Sequence, residues 1–233
     1  MKKGKDGFYC RYVKRIVDVI CALLAMVVFF WLYAIIAILV LIKLGSPVIF
    51  KQKRPGKGEK IFTMYKFRTM TGERDVNGEL LPDNIRLTEF GKRLRATSLD
   101  ELPEALNILK GDMSLIGPRP QLFSDLLFMT LEQRQRHCVR PGLSGWAQIN
   151  GRNCIEWEDK LNFDLEYLDK VSIWMDVKIV VTTIIKVFKA ENISYNGAAT
   201  AEDFGDYLLR TGKISSEECS KGQKQAKELL RER

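Results

Sequence analysis

The run VICALLAMVVFFWLYAIIAILVLI, from Val19 to Ile42, sets the architecture expected for this 233-residue chain. As a helix that rises about 1.5 Å per residue, it is long enough to cross a hydrocarbon core of about 30 Å. The run is apolar on every side, which favours a membrane helix over a core helix that buries one stripe. It also exceeds the hydrophobic region of a cleaved signal peptide, about 7–15 residues, and no small-residue cleavage site follows it.

Basic residues flank this run on both sides, with Lys14 and Arg15 before it and Lys43 after it. The positive-inside rule therefore assigns no orientation to a simple span. A helix that enters the membrane and returns on the same side satisfies both flanks, so we expect a re-entrant membrane helix over residues 14–43. Asp18 follows Arg15 by three residues on one helix face, which predicts a charge pair near the membrane interface.

Composition narrows the classes of partner. The formal net charge of +8 indicates an anionic partner, namely nucleic acid, a lipid surface or a phosphate-bearing substrate. A nucleic-acid module is disfavoured because aromatic residues are not interleaved with the basic ones. The five cysteines form no C-x-x-C pair, so neither a zinc site nor a disulfide framework is predicted. The single histidine, His137, lies in a basic run and is predicted to be a surface residue.

Residues 60–70 alternate in polarity and predict a strand. Because side chains in a strand repeat every two residues, Lys66 and Arg68 fall on the same face as Phe62 and Met64. Two cations therefore project together beside an apolar surface. A solvated charged sheet edge is the alternative reading of the same pattern.

Other segments complete the outline. Residues 48–50 lead into a basic loop at 51–58, and residues 122–136 are predicted to be helical. Residues 173–189 form an amphipathic helix with its apolar side chains on one side and Asp176 on the other. Such a helix packs on a core or lies in a membrane interface, and beside a membrane segment we favour the interface.

The motif SLDELP at residues 98–103 places two adjacent carboxylates, Asp100 and Glu101, where a helix that ends at Gly111 should begin. One reading is structural, because Ser98 followed by Glu101 fits a capping box and Asp100 is itself a good N-cap. The other reading is catalytic, because the positive end of a helix supports anionic chemistry. The two readings stay open on these residues alone.

A second feature is the arginine of Gly117-Pro118-Arg119-Pro120, which stands between two prolines. The prolines restrict the backbone, and a stiffened arginine suits phosphate recognition, although an ordinary Pro-rich turn is the alternative. The Gly-rich loop at residues 140–152 has neither the Walker nor the Rossmann spacing, so it is a weak nucleotide signal.

Six short motifs occur in order along the chain: Lys14-Arg15-x-x-Asp18, Gln52-x-Arg54-x-Gly56, Tyr65-Lys66-Phe67-Arg68-Thr69-Met70, Leu99-Asp100-Glu101-Leu102-Pro103, Leu109-Lys110-Gly111-Asp112-Met113-Ser114 and Gly117-Pro118-Arg119-Pro120. From Lys14 to about Gly205 the chain resembles the monotopic phosphoglycosyl transferases, which are bacterial sugar transferases. The resemblance is to the small members that consist of little more than the catalytic core.

The resemblance implies an enzyme that moves a sugar 1-phosphate from a UDP-sugar to undecaprenyl phosphate and releases UMP. It implies that Asp100 forms an aspartyl-phosphosugar intermediate and that Glu101, with Asp100, holds Mg²⁺. Both nucleophiles are ionised near neutral pH, so no general base is required. The cations expected to bind substrate are Lys66, Arg95 and Arg119, followed by Arg68, Arg140 and Arg152.

The donor sugar is expected to be N-acetylated. The loop Asn150-Gly-Arg-Asn153 and the region of Gly197, Thr200 and Phe204 resemble most the branch that uses UDP-N,N′-diacetylbacillosamine. UDP-GlcNAc and UDP-GalNAc stay open as donors. In the family a Ser-Pro pair marks the bend of the membrane helix, whereas the aligned positions here are Phe30-Trp31.

The expected fold is α/β and mainly helical: a monotopic membrane protein with a re-entrant helix, a small sheet and interfacial amphipathic helices. Residues 1–13 form a basic segment, 14–43 the membrane helix, 44–205 a cytoplasmic catalytic domain and 206–233 a charged tail. The expected location is the bacterial inner membrane, with membrane lipid and downstream glycosyltransferases as further partners and no nucleic acid. The alternative function is a non-enzymatic, membrane-anchored protein that binds anionic lipid or nucleotide.

Overall fold

The structure, a computed structural model, describes residues 7–151, 155–189 and 202–231. Its helices are α1 (Lys14–Val28), α2 (Phe30–Leu44), α3 (Asp83–Arg86), α4 (Glu89–Ala96), α5 (Glu104–Lys110), α6 (Phe123–Phe128), α7 (Trp146–Ile149), α8 (Trp157–Lys170), α9 (Ile173–Phe188), α10 (Phe204–Arg210) and α11 (Ser216–Arg231). Its strands are β1 (Ile49–Pro55), β2 (Ile61–Phe67), β3 (Ser114–Ile116) and β4 (Gly142–Ser144). One π-helical turn covers Tyr9–Val13, and 3₁₀ turns cover Lys57–Glu59, Leu99–Glu101 and Gln133–Cys138. The protein is therefore mainly helical, as predicted.

The apolar run forms two helices, α1 and α2, that meet at Phe29 with a bend of 65°. In the described part of the chain, no single helix is long and apolar enough to cross a membrane, whereas the bent pair qualifies by length and composition. The bend needs no proline here. The backbone leaves helical geometry at Phe29, and the amides of Leu32 and Tyr33 both donate to the Phe29 carbonyl. The bend that a re-entrant helix requires is thus present, and re-entry itself stays a prediction.

The charges at the start of α1 do not pair with each other, so that prediction is wrong. Arg15 donates to the carbonyls of Ile108 (2.5 Å) and Leu109 (2.9 Å), at the end of α5. The last carbonyls of a helix lack intrahelical partners, so they are ready acceptors. Asp18 accepts from the Ser114 hydroxyl (3.0 Å) and the Leu115 amide (2.9 Å). Both charges therefore fasten α1 to the rest of the protein.

Strands β1 and β2 form an antiparallel pair whose register runs from Ile49 opposite Phe67 to Pro55 opposite Ile61. The predicted strand at 60–70 is confirmed, but β1 extends through residues that we placed in a loop, because pairing with β2 overrides their polar composition. One face of the pair buries Phe62 and Met64 against α1 and α5. The other face buries Phe67 against α2 and α4.

Strands β3 and β4 form a separate, parallel pair, so the small sheet that we expected is two two-stranded sheets in the described residues. Three glycines permit a close backbone approach beside this pair. A Cβ at Gly142 would lie 2.1 Å from the Gly117 amide nitrogen, and one at Gly145 would lie 2.2 Å from the Gly117 carbonyl oxygen. The pair leads directly into Pro118, Arg119 and Pro120.

The segment predicted as one helix over 122–136 is instead α6 followed by a 3₁₀ turn, because the backbone becomes extended at Met129. His137, predicted at the surface, is only 6% exposed. Burial and the neighbouring Arg136 charge lower its pKa to about 4. Beyond this region α10 and α11 pack on α6. The predicted boundary at 205/206 lies inside α10 and stays a prediction.

The amphipathic helix predicted at 173–189 is confirmed as α9, and its apolar side is the exposed one. Asp176 points inward, where it accepts from the hydroxyls of Tyr9 (2.6 Å) and Tyr167 (2.8 Å) and pairs with Lys14 (2.5 Å). The exposed apolar residues of α9 are Ile173, Trp174, Val177, Val180, Val181, Ile184, Ile185 and Val187. This orientation is the one that a helix in a membrane interface requires.

Candidate active site

Asp100 and Glu101 lie in the 3₁₀ turn between α4 and α5 and not at a helix N-cap. Ser98 takes a left-handed conformation (φ 56°), and α5 begins only at Glu104, with Pro103 as its N-cap. Ser98 makes no capping hydrogen bond with its side chain, and its amide donates to the Arg95 carbonyl, while the Glu101 side chain is directed to two cations. The capping-box reading and the placement of Asp100 at the mouth of a helix are therefore both wrong, while the stop at Gly111 is confirmed.

Glu101 is held between two positive side chains. Its Oε1 accepts from Lys66 Nζ at 2.6 Å and from Arg119 Nη2. Burial alone would raise the pKa of Glu101, but the charges and hydrogen bonds of Arg119 and Lys66 outweigh it and hold that pKa well below its usual range. Glu101 in turn raises the pKa of Arg119. This carboxylate is therefore charged throughout the physiological pH range.

Asp100 experiences a different environment. It is 7% exposed, and burial together with the negative charge of Glu101 raises its pKa to about 6, against the opposing effect of Lys66, Arg119 and Arg95. Adjacent residues thus carry carboxylates of different character. Glu101 is a fixed, neutralised anion, whereas Asp100 is buried and weakly stabilised as an anion.

A third carboxylate, Glu104, belongs to this cluster, and sequence reasoning missed it. It is 1% exposed, and its Oε1 lies 3.2 Å from Lys66 Nζ. Burial and the charge of Glu101 raise its pKa to about 7. The available signal was its spacing of three residues from Glu101, which on a continuous helix would put both side chains on one face.

The raised pKa of Glu104 predicts a pH-dependent stability. Between its ordinary pKa and about 7 the folded protein binds more protons than the unfolded chain, so stability falls as the pH rises through this interval. We expect Glu104→Gln to raise the free energy of unfolding at pH 8 by on the order of 1–3 kcal/mol, and by much less below pH 4.5. Thermal unfolding of both proteins in detergent across this pH range measures the difference. The exposed Glu89→Gln on α4 is the control, and a gain for Glu104→Gln that is independent of pH would contradict the assignment.

The remaining predicted cations differ in their placement. Arg95 donates from Nε to the Thr69 hydroxyl at 3.0 Å and lines the same cleft as Asp100. Arg68 also lines the cleft, and it donates to the carbonyls of Leu44, Ser46 and Met70. Arg140 donates to the Gly111 carbonyl at 2.8 Å and is not among the residues that line the cleft, so its substrate-binding role stays a prediction. Arg152 lies outside the described residues, as do Gly197 and Thr200.

The acidic cluster opens onto a cleft of about 1720 Å³. Part of its lining is apolar and comes from α1 and α2, including Ala22, Ala25 and Tyr33. Tyr33 donates its hydroxyl to the carbonyl of Leu102 at 2.7 Å, so α2 touches the residue that follows Glu101. Other parts of the lining are polar: Gln52, Arg54, Gln121, Lys160 and Asp203. The cleft therefore offers both apolar and charged surface beside Asp100.

The site has oxygen ligands suited to Mg²⁺. Within residues 7–151, 155–189 and 202–231 no three His, Cys, Asp or Glu side chains are placed to share a metal ion. Mg²⁺ is commonly held by only one or two carboxylates, and water and substrate phosphates complete its shell. Asp100 and Glu101 fit that requirement, because a nearby dication favours the ionised form of a buried carboxylate.

Comparison with known proteins places the chain in a family. Residues 9–190 match the model of the family described as bacterial sugar transferase. The chain belongs to the bacterial sugar transferase family. It is accordingly an enzyme, and the expectation of a bacterial sugar transferase from the six ordered motifs is confirmed, while its monotopic insertion and its bacillosamine branch stay predictions.

Relatives of this sugar transferase fall into two groups by length. The uncharacterized sugar transferase EpsL of Bacillus subtilis is 55% identical over 163 residues, which is 70% of this chain and 81% of EpsL. The UDP-N-acetylgalactosamine-undecaprenyl-phosphate N-acetylgalactosaminephosphotransferase of Aeromonas hydrophila is 39% identical, over 74% of this chain and 43% of the relative. The UDP-glucose:undecaprenyl-phosphate glucose-1-phosphate transferase of Escherichia coli is also 39% identical, over 76% of this chain and 40% of the relative. The chain thus spans less than half of the two longer relatives.

Proposed function

We propose that this sugar transferase moves a sugar 1-phosphate from a UDP-sugar to undecaprenyl phosphate and releases UMP. The observation that carries the proposal is the buried Asp100 beside a Glu101 that two cations neutralise, in a cleft that also has apolar walls from α1 and α2. The charged part of the cleft suits the nucleoside diphosphate of a UDP-sugar, and the apolar part suits a polyprenyl chain. The activities named for the relatives of Aeromonas hydrophila and Escherichia coli support the same substrates.

The proposed reaction has two displacements at one phosphorus atom. In the first, an Asp100 carboxylate oxygen attacks the phosphorus that bears the sugar, and the bond from that phosphorus to the UMP oxygen breaks. UMP leaves, and an aspartyl-phosphosugar intermediate remains. In the second, a phosphate oxygen of undecaprenyl phosphate attacks the same phosphorus and displaces the Asp100 carboxylate. A covalent intermediate of this kind divides one difficult displacement between anions into two easier steps.

Charge repulsion is the main obstacle in both steps, because each nucleophile and each phosphate is anionic. Arg119 and Lys66 already stand at Glu101, next to the proposed nucleophile, and Arg95 lines the same cleft. These cations offset the charge that develops on the transferring phosphoryl group. Mg²⁺, held by Asp100 and Glu101, would supply further positive charge at the phosphates when bound.

We place the enzyme at the bacterial inner membrane, with its cleft on the cytoplasmic face. Exposed apolar side chains on α1 and α2 support this location, as do those of α9. The bend between α1 and α2 and their basic flanks favour a re-entrant, monotopic insertion. The product would then be available to downstream glycosyltransferases that extend the lipid-linked sugar for polysaccharide assembly or protein glycosylation.

The donor sugar that we propose is N-acetylated, with UDP-N,N′-diacetylbacillosamine as the first candidate. Its support is the resemblance of the loop at 150–153 and of the region up to Phe204. The relatives of Aeromonas hydrophila and Escherichia coli are named for N-acetylgalactosamine and glucose, so those donors are the competing candidates.

A UMP-release assay on the full chain in detergent tests the function and the donor together. The panel contains UDP-N,N′-diacetylbacillosamine, UDP-GlcNAc, UDP-GalNAc, UDP-glucose and UDP-galactose, each with and without undecaprenyl phosphate. We expect multiple-turnover UMP release that requires undecaprenyl phosphate and stops on addition of EDTA, and that is fastest with an N-acetylated donor. Binding of donor and lipid without UMP release from any of the five would contradict the proposed reaction.

A further inference from the structure

One ion pair in the interior is isolated from solvent. Arg136, in the 3₁₀ turn after α6, donates from Nε (2.9 Å) and Nη2 (2.6 Å) to the same oxygen, Oδ2, of Asp164 on α8. Each side chain is 1% exposed. Arg136 Nη1 and Asp164 Oδ1 have no hydrogen-bond partner in the part of the chain that the structure describes. A buried pair that leaves polar atoms unsatisfied is a weak source of stability, and apolar residues of similar volume often replace such pairs without loss.

Among the described residues, Arg136 makes one further side-chain hydrogen bond, and that bond leads to the active site. Arg136 Nη2 also donates to the backbone carbonyl of Arg119, at 2.6 Å. Arg119 stands between Pro118 and Pro120, whose rings restrict the backbone and provide no N–H. The carbonyl of Pro118 accepts from the Gly142 amide at 3.0 Å. The Arg119 main chain is thus fastened on one side by strand β4 and on the other by Arg136.

The side chain of Arg119 leaves this anchored backbone and reaches Glu101 in the cleft. A long guanidinium side chain reaches a given point only when its main chain is in place. A displacement of about 1 Å in a catalytic group lowers a rate by as much as about 100-fold. An apolar pair would fill the volume of Arg136 and Asp164 but would leave the Arg119 carbonyl unbound.

We propose that Arg136, held by Asp164, is a positioning residue that fixes the Arg119 backbone so that the Arg119 guanidinium stands where the phosphoryl charge develops. This inference rests on the function proposed above. Asp164 borders the cleft, but each side chain of the pair is only 1% exposed. The inference assigns to this buried pair a role in the rate of transfer, exerted through Arg119.

A double-mutant cycle on the full chain in detergent tests this role. The pair is replaced by Arg136→Met with Asp164→Leu, in the wild-type and in the Arg119→Ala backgrounds, and kcat and KM for UMP release are measured for all four proteins. Arg136→Lys, which keeps the charge beside Asp164 but lacks the guanidinium fork, is carried through the same cycle. The matched control is Arg134→Met with Glu59→Gln, since this ion pair begins in the same 3₁₀ turn but neither contacts Arg119 nor lines the cleft.

We expect the Arg136→Met, Asp164→Leu protein to unfold cooperatively and to lose about 10- to 100-fold in kcat. In the Arg119→Ala background the same replacement should change kcat by less than about twofold, because the residue through which it acts is absent. Arg136→Lys should likewise lose about 10- to 100-fold in kcat in the wild-type background and change kcat by less than about twofold in the Arg119→Ala background. This single substitution still tests the inference if the doubly substituted apolar protein does not fold. The control pair should change kcat by less than about twofold in both backgrounds.

Two results would overturn the inference: wild-type kcat in the folded Arg136 variants, or an equal fold-loss in both backgrounds. Failure of the proposed function looks different. In that case the wild-type protein itself releases no UMP from any donor, or Arg119→Ala retains full activity.

Discussion

Asp100→Asn should abolish UMP release, with a loss of about 10⁴-fold or more, while the protein stays folded. The substitution removes the attacking oxygen charge but keeps the shape and polarity of the side chain, and loss of a catalytic nucleophile has effects of this size in other covalent enzymes. Folding should not suffer. Burial and Glu101 raise the pKa of Asp100 to about 6, so a neutral side chain at this position is no less stable at pH 8.

Mass spectrometry provides the direct measurement. Wild-type protein is mixed with UDP-sugar and no acceptor, then digested with trypsin, and the peptide that covers residues 96–110 should gain the mass of one phosphosugar. Asp100→Asn should show no gain, although its thermal unfolding midpoint matches or exceeds that of the wild type. Full UMP release by Asp100→Asn, or an adduct located on another peptide, would remove Asp100 from the nucleophile role.

The pH dependence of the reaction provides a second readout of the same residue. An acid whose pKa is raised loses its nucleophilic form as the pH falls through that pKa. We therefore expect kcat/KM for UMP release to decrease below a pH of about 6, and to do so before Glu101, whose pKa is held far lower, begins to titrate.

Gly142→Ala should lower the free energy of unfolding by on the order of 3–5 kcal/mol, a large effect for a single methyl group. The new Cβ would lie 2.1 Å from the Gly117 amide nitrogen and 2.5 Å from the Ser144 carbonyl oxygen. Both obstacles are backbone atoms of strands or their immediate continuation, so neither can rotate away. The parallel pair β3–β4 must separate, and the backbone that leads to Arg119 moves with it.

Thermal unfolding in detergent compares Gly142→Ala with Gly72→Ala, a control whose added Cβ meets no atom within 4 Å. Gly72→Ala should shift the midpoint by little, and any folded fraction of Gly142→Ala should have a reduced kcat because Arg119 is displaced. Equal midpoints for the two variants would show that the β3–β4 contact is not as close as described.

Local patterns were sufficient for several elements of this protein. Alternation over residues 60–70 predicted β2 with Lys66 on its inner face, and helical periodicity predicted α9. The ordered motifs predicted the family and selected Lys66 and Arg119, which do meet at Glu101. Local patterns failed where long-range contacts took over. The capping box predicted at Ser98 did not form, and Glu101 instead accepts hydrogen bonds from Lys66 and Arg119. Arg15 and Asp18 do not pair with each other, because each bonds to a distant element, α5 and β3 respectively.

By itself, the sequence determined the apolar run, the amphipathic helix and the acidic pair, because each depends on residues close together in the chain. The tertiary structure alone decided which charges meet. Lys66 and Arg119 reach Glu101 from a strand and a proline-bounded turn, Glu104 joins them in the interior, and Arg136 supports Arg119 from behind. The strength of these charge interactions depends on the distance between the groups and on their burial. Neither quantity can be obtained from the periodicity of the sequence. The 65° bend between α1 and α2 is likewise seen only in the tertiary structure, since no proline marks Phe29 in the sequence.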